Sequence, residues 1–169
     1  MDDDIGVITI CYTVKFERRS KHSVARLWRA ITEAEEIAAW MGAPARVDLR
    51  PGGEYFVDFH GNGEPGLDGI LVRVEPEHRL GHVWGLSYQE FELHEDGDGA
   101  TFTFVQNGVA DRGEDADEEG LAAGWHEFFD RLDDHLDHMS RTEDEHTARW
   151  QELKPSYRKQ LDRVIRKLG

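Results

Sequence analysis

The chain has 169 residues, a hydrophobic fraction of 38% and a formal net charge of −15, with Trp 5, Phe 8 and Tyr 4 carrying much of its apolar surface. That length suits one domain with a substantial core, and the aromatic content argues against a disordered body. The acidic balance excludes a nucleic-acid partner, which needs clustered Lys and Arg to displace counterions. No apolar run approaches a membrane span of roughly 20 residues. The start, Met1-Asp2-Asp3-Asp4, is acidic where a secretory leader is basic and then apolar, so a cytoplasmic protein is expected. Cys11 stands alone and forms no internal disulfide.

In chain order, Ile8, Ile10, Tyr12, Val14 and Phe16 alternate with polar residues and predict a half-buried strand from Ile8 to Phe16. Ser23 is placed to cap a short helix carrying Val24, Leu27, Trp28 and Ile31. Thr32, with Glu35 three residues on, predicts a capping box for a second helix carrying Ile37, Ala38, Trp40 and Met41. Short strands follow: Arg46 to Leu49, then Tyr55, Val57 and Phe59 after Pro51-Gly52-Gly53, with Gly61-Asn62-Gly63 as a hairpin turn. Ile70, Val72 and Val74 predict one face of the next strand. Leu80 to Trp84, Gln89 to Leu93 and Thr101 to Val105 complete a meander, which favours an antiparallel sheet over a βαβ arrangement.

Residues 110–119 hold six acids and read as a solvated loop. A long amphipathic helix is expected from Leu121 to Met139, its stripe made of Leu121, Trp125, Phe128, Leu132, His135, Leu136 and Met139. Past Ser140, Trp150, Leu153, Tyr157, Leu161, Val164, Ile165 and Leu168 share one face, and Pro155 suits the first turn of a new helix. From Thr147 onward seven Lys or Arg stand against two acids. This basic segment is expected to pack on the body or on a second copy. The organisation read from these patterns is a domain over 1–140 and a helical extension over 141–169.

Five segments then carry a family resemblance: Val24-Ala25-Arg26-Leu27-Trp28-Arg29-Ala30-Ile31-Thr32, Glu36-Ile37-Ala38-Ala39-Trp40-Met41, Asp48-Leu49-Arg50-Pro51-Gly52-Gly53-Glu54-Tyr55, Gly69 to Pro76, and Ala123-Gly124-Trp125-His126. Together, over Val14 to Met139, they resemble the heat-shock-protein-90 ATPase activator-like family of the START-like, or SRPBCC, superfamily. The resemblance implies an α+β helix-grip (START/Bet v 1-like) fold, in which a curved antiparallel sheet wraps the long helix. The extension after Ser140 lies outside it.

The residues expected between sheet and helix are Trp40, Tyr55, Val57, Phe59, Val72, His82, Trp84, Phe91, Phe102, Phe104, Trp125, Phe128 and Phe129. An aromatic lining with a few polar groups suits a small hydrophobic or amphipathic ligand. The same set suits a filled core. His82, Tyr88 or His126 would supply the polar contacts, and His82, His126 or Asp58 could titrate in an enzyme. His135 and His138, three apart on a helix, lack an identifiable third metal ligand. No phosphate loop, nucleophile elbow, dinucleotide fingerprint or paired-Cys motif is present, so no catalytic residue, cofactor or metal is assigned. The function expected is ligand binding. The alternatives are a chaperone-linked interaction, which the resemblance implies, or an enzyme of unknown reaction, and a homodimer through the extension is expected as a possible assembly.

Overall fold

The computed structural model describes residues 11–59, 69–85, 87–110 and 118–168. The predicted positions Ile8 and Ile10, the Gly61-Asn62-Gly63 turn and most of the acidic loop lie outside them. Strand β1 (Cys11–Ser20) leads to α1 (Val24–Thr32) and α2 (Ala34–Met41), then to β2 (Ala45–Val47), β3 (Glu54–Val57), β4 (Gly69–Glu75), β5 (Arg79–Trp84), β6 (Ser87–Asp96) and β7 (Gly99–Ala110). Helices α3 (Glu118–Leu136) and α4 (Glu143–Leu168) close the chain. The strands form one seven-stranded antiparallel sheet in the order β1-β7-β6-β5-β4-β3-β2. Its inner face wraps α3, as a helix grip does. Among the described residues no helix is long and apolar enough to cross a membrane.

Several element boundaries depart from the sequence reading for identifiable reasons. Strand β1 continues past Phe16 because its next inward position, Arg18, is neutralised by Asp130 at 2.9 Å and Asp133 at 3.2 Å on α3. Ser23 does cap α1, its hydroxyl accepting from the Arg26 amide. Thr32 does not cap α2: it is the last residue of α1, and its hydroxyl donates back to the Trp28 carbonyl at 2.6 Å. Strand β4 has the opposite phase from the one read. Gly69 and Leu71 face inward while Ile70 and Val72 are 52% and 49% exposed. An inward position 69 must be glycine, since a Cβ there would lie 2.1 Å from the Tyr55 carbonyl oxygen. A register shift between Leu71 and Arg73 then turns Val74 back toward the core. Two residues on one side of that shift and one on the other mimic a single alternation.

Helix α3 ends at Leu136, three residues before its expected end. The Asp137, His138 and Met139 amides donate to the Asp133, His135 and Asp134 carbonyls, and His138 sits at φ 56°. That left-handed position usually belongs to glycine, because a Cβ there crowds the following carbonyl. Replacing His138 by Gly should therefore raise unfolding stability by about 0.5–1 kcal/mol in a urea titration.

Helix α4 runs unbroken through Pro155, where a new helix was expected. It starts with a reciprocal cap in which the Glu145 carboxylate accepts from the Thr142 amide and the Thr142 hydroxyl accepts from the Glu145 amide. Its first half lies on α3. Trp150 Nε1 donates to the Gly120 carbonyl at 3.0 Å. Arg149 pairs with Asp130 at 2.8 Å, Arg131 with Glu143 at 3.2 Å, and buried His146 meets buried Glu127. Arg149 of the basic segment thus pairs with the acidic body across this helix–helix seam.

Candidate functional site

Strands β5, β6 and β7 build the inner face in cross-strand rows. The deepest rows are apolar: Leu80 pairs with Phe91 and Phe91 with Phe104, while Leu93 pairs with Phe102. Phe129 of α3 drops among them, its ring centroid 5.3 Å from Phe102 and 5.2 Å from Phe104. Phe129 meets Phe16, Phe91, Phe102 and Phe104 edge to face, the arrangement that aromatic quadrupoles favour. Val57 is buried in the same core.

The adjacent row is polar. His82 on β5 pairs with Gln89 on β6, which pairs with Gln106 on β7. All three are buried among aromatic side chains. Trp125 Nε1 donates to Gln106 Oε1 at 2.6 Å, tying α3 to this belt. The His82 imidazole stacks on Tyr55 at 4.4 Å, and the Tyr55 hydroxyl donates to the Ile31 carbonyl at 3.1 Å. Burial alone lowers the His82 pKa to about 3, so the ring is neutral, and burial likewise raises Tyr55. Among the described residues His82 Nδ1 and Gln89 Oε1 are buried without a hydrogen-bond partner. Native interiors rarely leave such atoms unpaired.

Beyond the belt stands an aromatic rim. Trp84 stacks on Phe59 at 5.8 Å, Phe59 lies 5.8 Å from Phe128, and Phe128 is 6.3 Å from Trp40. Trp40 is anchored by its Nε1 donating to the Ala30 carbonyl at 2.9 Å. Trp125 bridges rim and core, 6.3 Å from Trp84 and 4.3 Å from Phe104. The inner face therefore grades from apolar floor to neutral polar belt to aromatic rim.

Val72, Tyr88 and His126, expected here, lie elsewhere. Val72 and Ile70 face outward on β4. Tyr88 lies on the outer face of β6, over Gly81, with its hydroxyl donating to Glu90. Burial, followed by that carboxylate, pushes its pKa up to about 12. His126 sits in the α3–α4 seam, where its Nδ1 is 2.7 Å from the Tyr157 hydroxyl and its ring meets Phe16 edge-on. Burial, then Arg18, holds its pKa below the usual histidine value. Gln89 and Gln106 were not singled out from the sequence. Their signal was available, since period-2 alternation puts Gln89 on the face of Phe91 and Gln106 on that of Phe104.

Among the described residues no cluster of metal-ligating side chains involves the belt. Among the described residues His78, Glu92 and His94 offer ligand atoms within 4.8 Å of one another, on the outside of the sheet. Glu92 Oε1 is already taken by Arg79 at 2.6 Å and His94 at 3.1 Å. His135 pairs with Glu36 at 2.7 Å instead of converging with His138.

The family model described as activator of Hsp90 ATPase homolog 1-like protein matches residues 21–137. Protein MLL2253 from Mesorhizobium loti is 26% identical, with a TM-score of 0.67 over 77% of this chain and 100% of its own. CalU16 from Micromonospora echinospora is 22% identical, with a TM-score of 0.65 over 88% of this chain and 95% of its own. EF2215 from Enterococcus faecalis, 16% identical, has a TM-score of 0.72 over 91% of this chain and 86% of its own. The latter two show a shared fold. No curated protein matches this chain.

Proposed function

This chain belongs to the activator of Hsp90 ATPase homolog 1-like family, and on that footing we propose that it binds a small amphipathic ligand between sheet and α3, at the belt and rim. The observation that carries this reading is the unpartnered pair His82 Nδ1 and Gln89 Oε1 inside an aromatic enclosure. A bound molecule satisfies both atoms. A chaperone contact made through the outer surface would leave them unexplained.

The neutral fluorescent probe N-phenyl-1-naphthylamine tests the proposal. Its emission should shift to the blue with saturable binding in the micromolar range, about −8 kcal/mol. Trp125→Leu should weaken that binding at least about tenfold, because it removes both a ring face and the donor that orients Gln106. An unsaturable signal, or equal affinity in the variant, would remove the ligand from this site.

We further propose that the distal part of α4 docks on a second copy. Val164 and Ile165 are about half exposed there, on a basic segment that complements the acidic body. Light scattering should report a dimer that Val164→Glu with Ile165→Glu converts to a monomer. A monomeric parent chain would contradict the proposal.

A further inference from the structure

Resting on the binding reading above, we infer the class of ligand: an uncharged, flat, largely aromatic molecule carrying one hydroxyl that bridges His82 Nδ1 and Gln89 Oε1. The two residues are directly paired across β5 and β6, so their side chains leave the same face of the sheet side by side. Directly opposed side chains stand roughly 5 Å apart at Cβ, a separation that one oxygen can span. Gln89 Oε1 can only accept a hydrogen bond, whereas a neutral imidazole nitrogen donates or accepts according to its tautomer. A hydroxyl meets both needs at once: its hydrogen goes to Gln89 Oε1, and its oxygen accepts from His82 Nδ1–H. A carbonyl would leave Gln89 unsatisfied. An ether would do the same.

The neighbouring side chains argue for neutrality and flatness. Gln106, the third member of the belt, is already engaged by Trp125. The belt contains no ionised side chain, and the buried acids Glu127 and Asp134 are paired with His146, Arg131 and Arg141 in the seam toward α4. A ligand carboxylate or ammonium would be desolvated here with no counter-charge among the described residues of the belt, which is the costly way to bury an ion. Tyr55, Trp84 and Trp125 present ring faces and edges around the belt. Aromatic guests match such surroundings through offset and edge-to-face contacts.

The test compares 2-naphthol, naphthalene and 2-naphthoate by amide chemical-shift titration of the full chain, with Gln89→Leu as the variant. The expected result is that 2-naphthol binds at least about tenfold more tightly than naphthalene and that 2-naphthoate binds weakest. Gln89→Leu should abolish the preference of the chain for 2-naphthol over naphthalene. Equal affinities for 2-naphthol and naphthalene, or a preference for 2-naphthoate, would overturn the inference and leave the binding reading standing. If none of the three shifts the amides around His82, Gln89 and Trp125, the binding reading fails and this inference with it. The selectivity of the parent chain decides the matter on its own if the variant does not fold.

Discussion

Phe129→Ala is expected to lower unfolding stability by about 3–5 kcal/mol, the range for truncating a fully buried phenylalanine. Phe129 has no exposed surface and is the point at which α3 engages the sheet, meeting Phe16, Phe91, Phe102, Phe104 and Trp125. The rings around it come from β1, β6, β7 and α3, so collapse into the vacated space would require elements tied by strand hydrogen bonds to move. The loss should therefore sit near the upper part of the range. Phe128→Ala is the informative contrast. That ring lies at the rim, beside Phe59 and Trp40, and is only partly buried. Its truncation should cost about 1–2 kcal/mol, since part of the ring's area is already in water. Urea titrations followed by tryptophan emission measure both, and equal losses would contradict the division into packed floor and accessible rim.

Acid should destabilise the fold through His82. Its folded pKa is depressed to about 3 by burial, against an ordinary value of 6.5. The unfolded chain thus binds a proton that the folded chain refuses, and stability rises with pH wherever that difference holds. The contribution is fully present above pH 6.5 and is lost progressively as pH falls from 6.5 toward 3. Over the interval from pH 6.5 to 4.5 the loss amounts to roughly 2–3 kcal/mol. His82→Leu removes the titrating group and should flatten this part of the profile by the same amount. Asp130 enters lower on the scale. Burial pushes its pKa up, but Arg149 and Arg18 outweigh that effect and hold it below the ordinary carboxylate value. Its stabilisation is present above the ordinary aspartate pKa and is lost as pH falls through the folded one. Parallel pH profiles for the parent chain and His82→Leu between pH 7 and 4.5 would show that His82 is not buried as a neutral ring.

Strands and helices were legible wherever one physical pattern acted alone. Alternation along β6 and β7 identified Phe91, Phe102 and Phe104, and helical spacing identified Trp125 and Phe128. Errors arose where tertiary partners changed the meaning of a residue. Arg18 ended an apolar alternation without ending β1, because Asp130 and Asp133 wait on α3 more than a hundred residues away. Val72 fell on the wrong face because the register shift in β4 is set by pairing with β5. His126 looked like an inward polar group, yet it lies beside Phe16 at the edge of the sheet, where the extension supplies Tyr157. Pro155 is compatible with continuing a helix that is stapled to α3 upstream by Trp150 and Arg149. Gln89 and Gln106 were hidden by their polarity: a search for apolar alternation passes over the two positions where the alternating face turns polar.

Intermolecular nuclear Overhauser effects from bound 2-naphthol to the protein test the central claim most directly. The expected cross-peaks run from the naphthyl protons to the rings of Trp84, Trp125 and Tyr55, placing the molecule between sheet and α3. Cross-peaks confined to the outward side chains of Ile70 and Val72, or to the exposed face of α4, would contradict it.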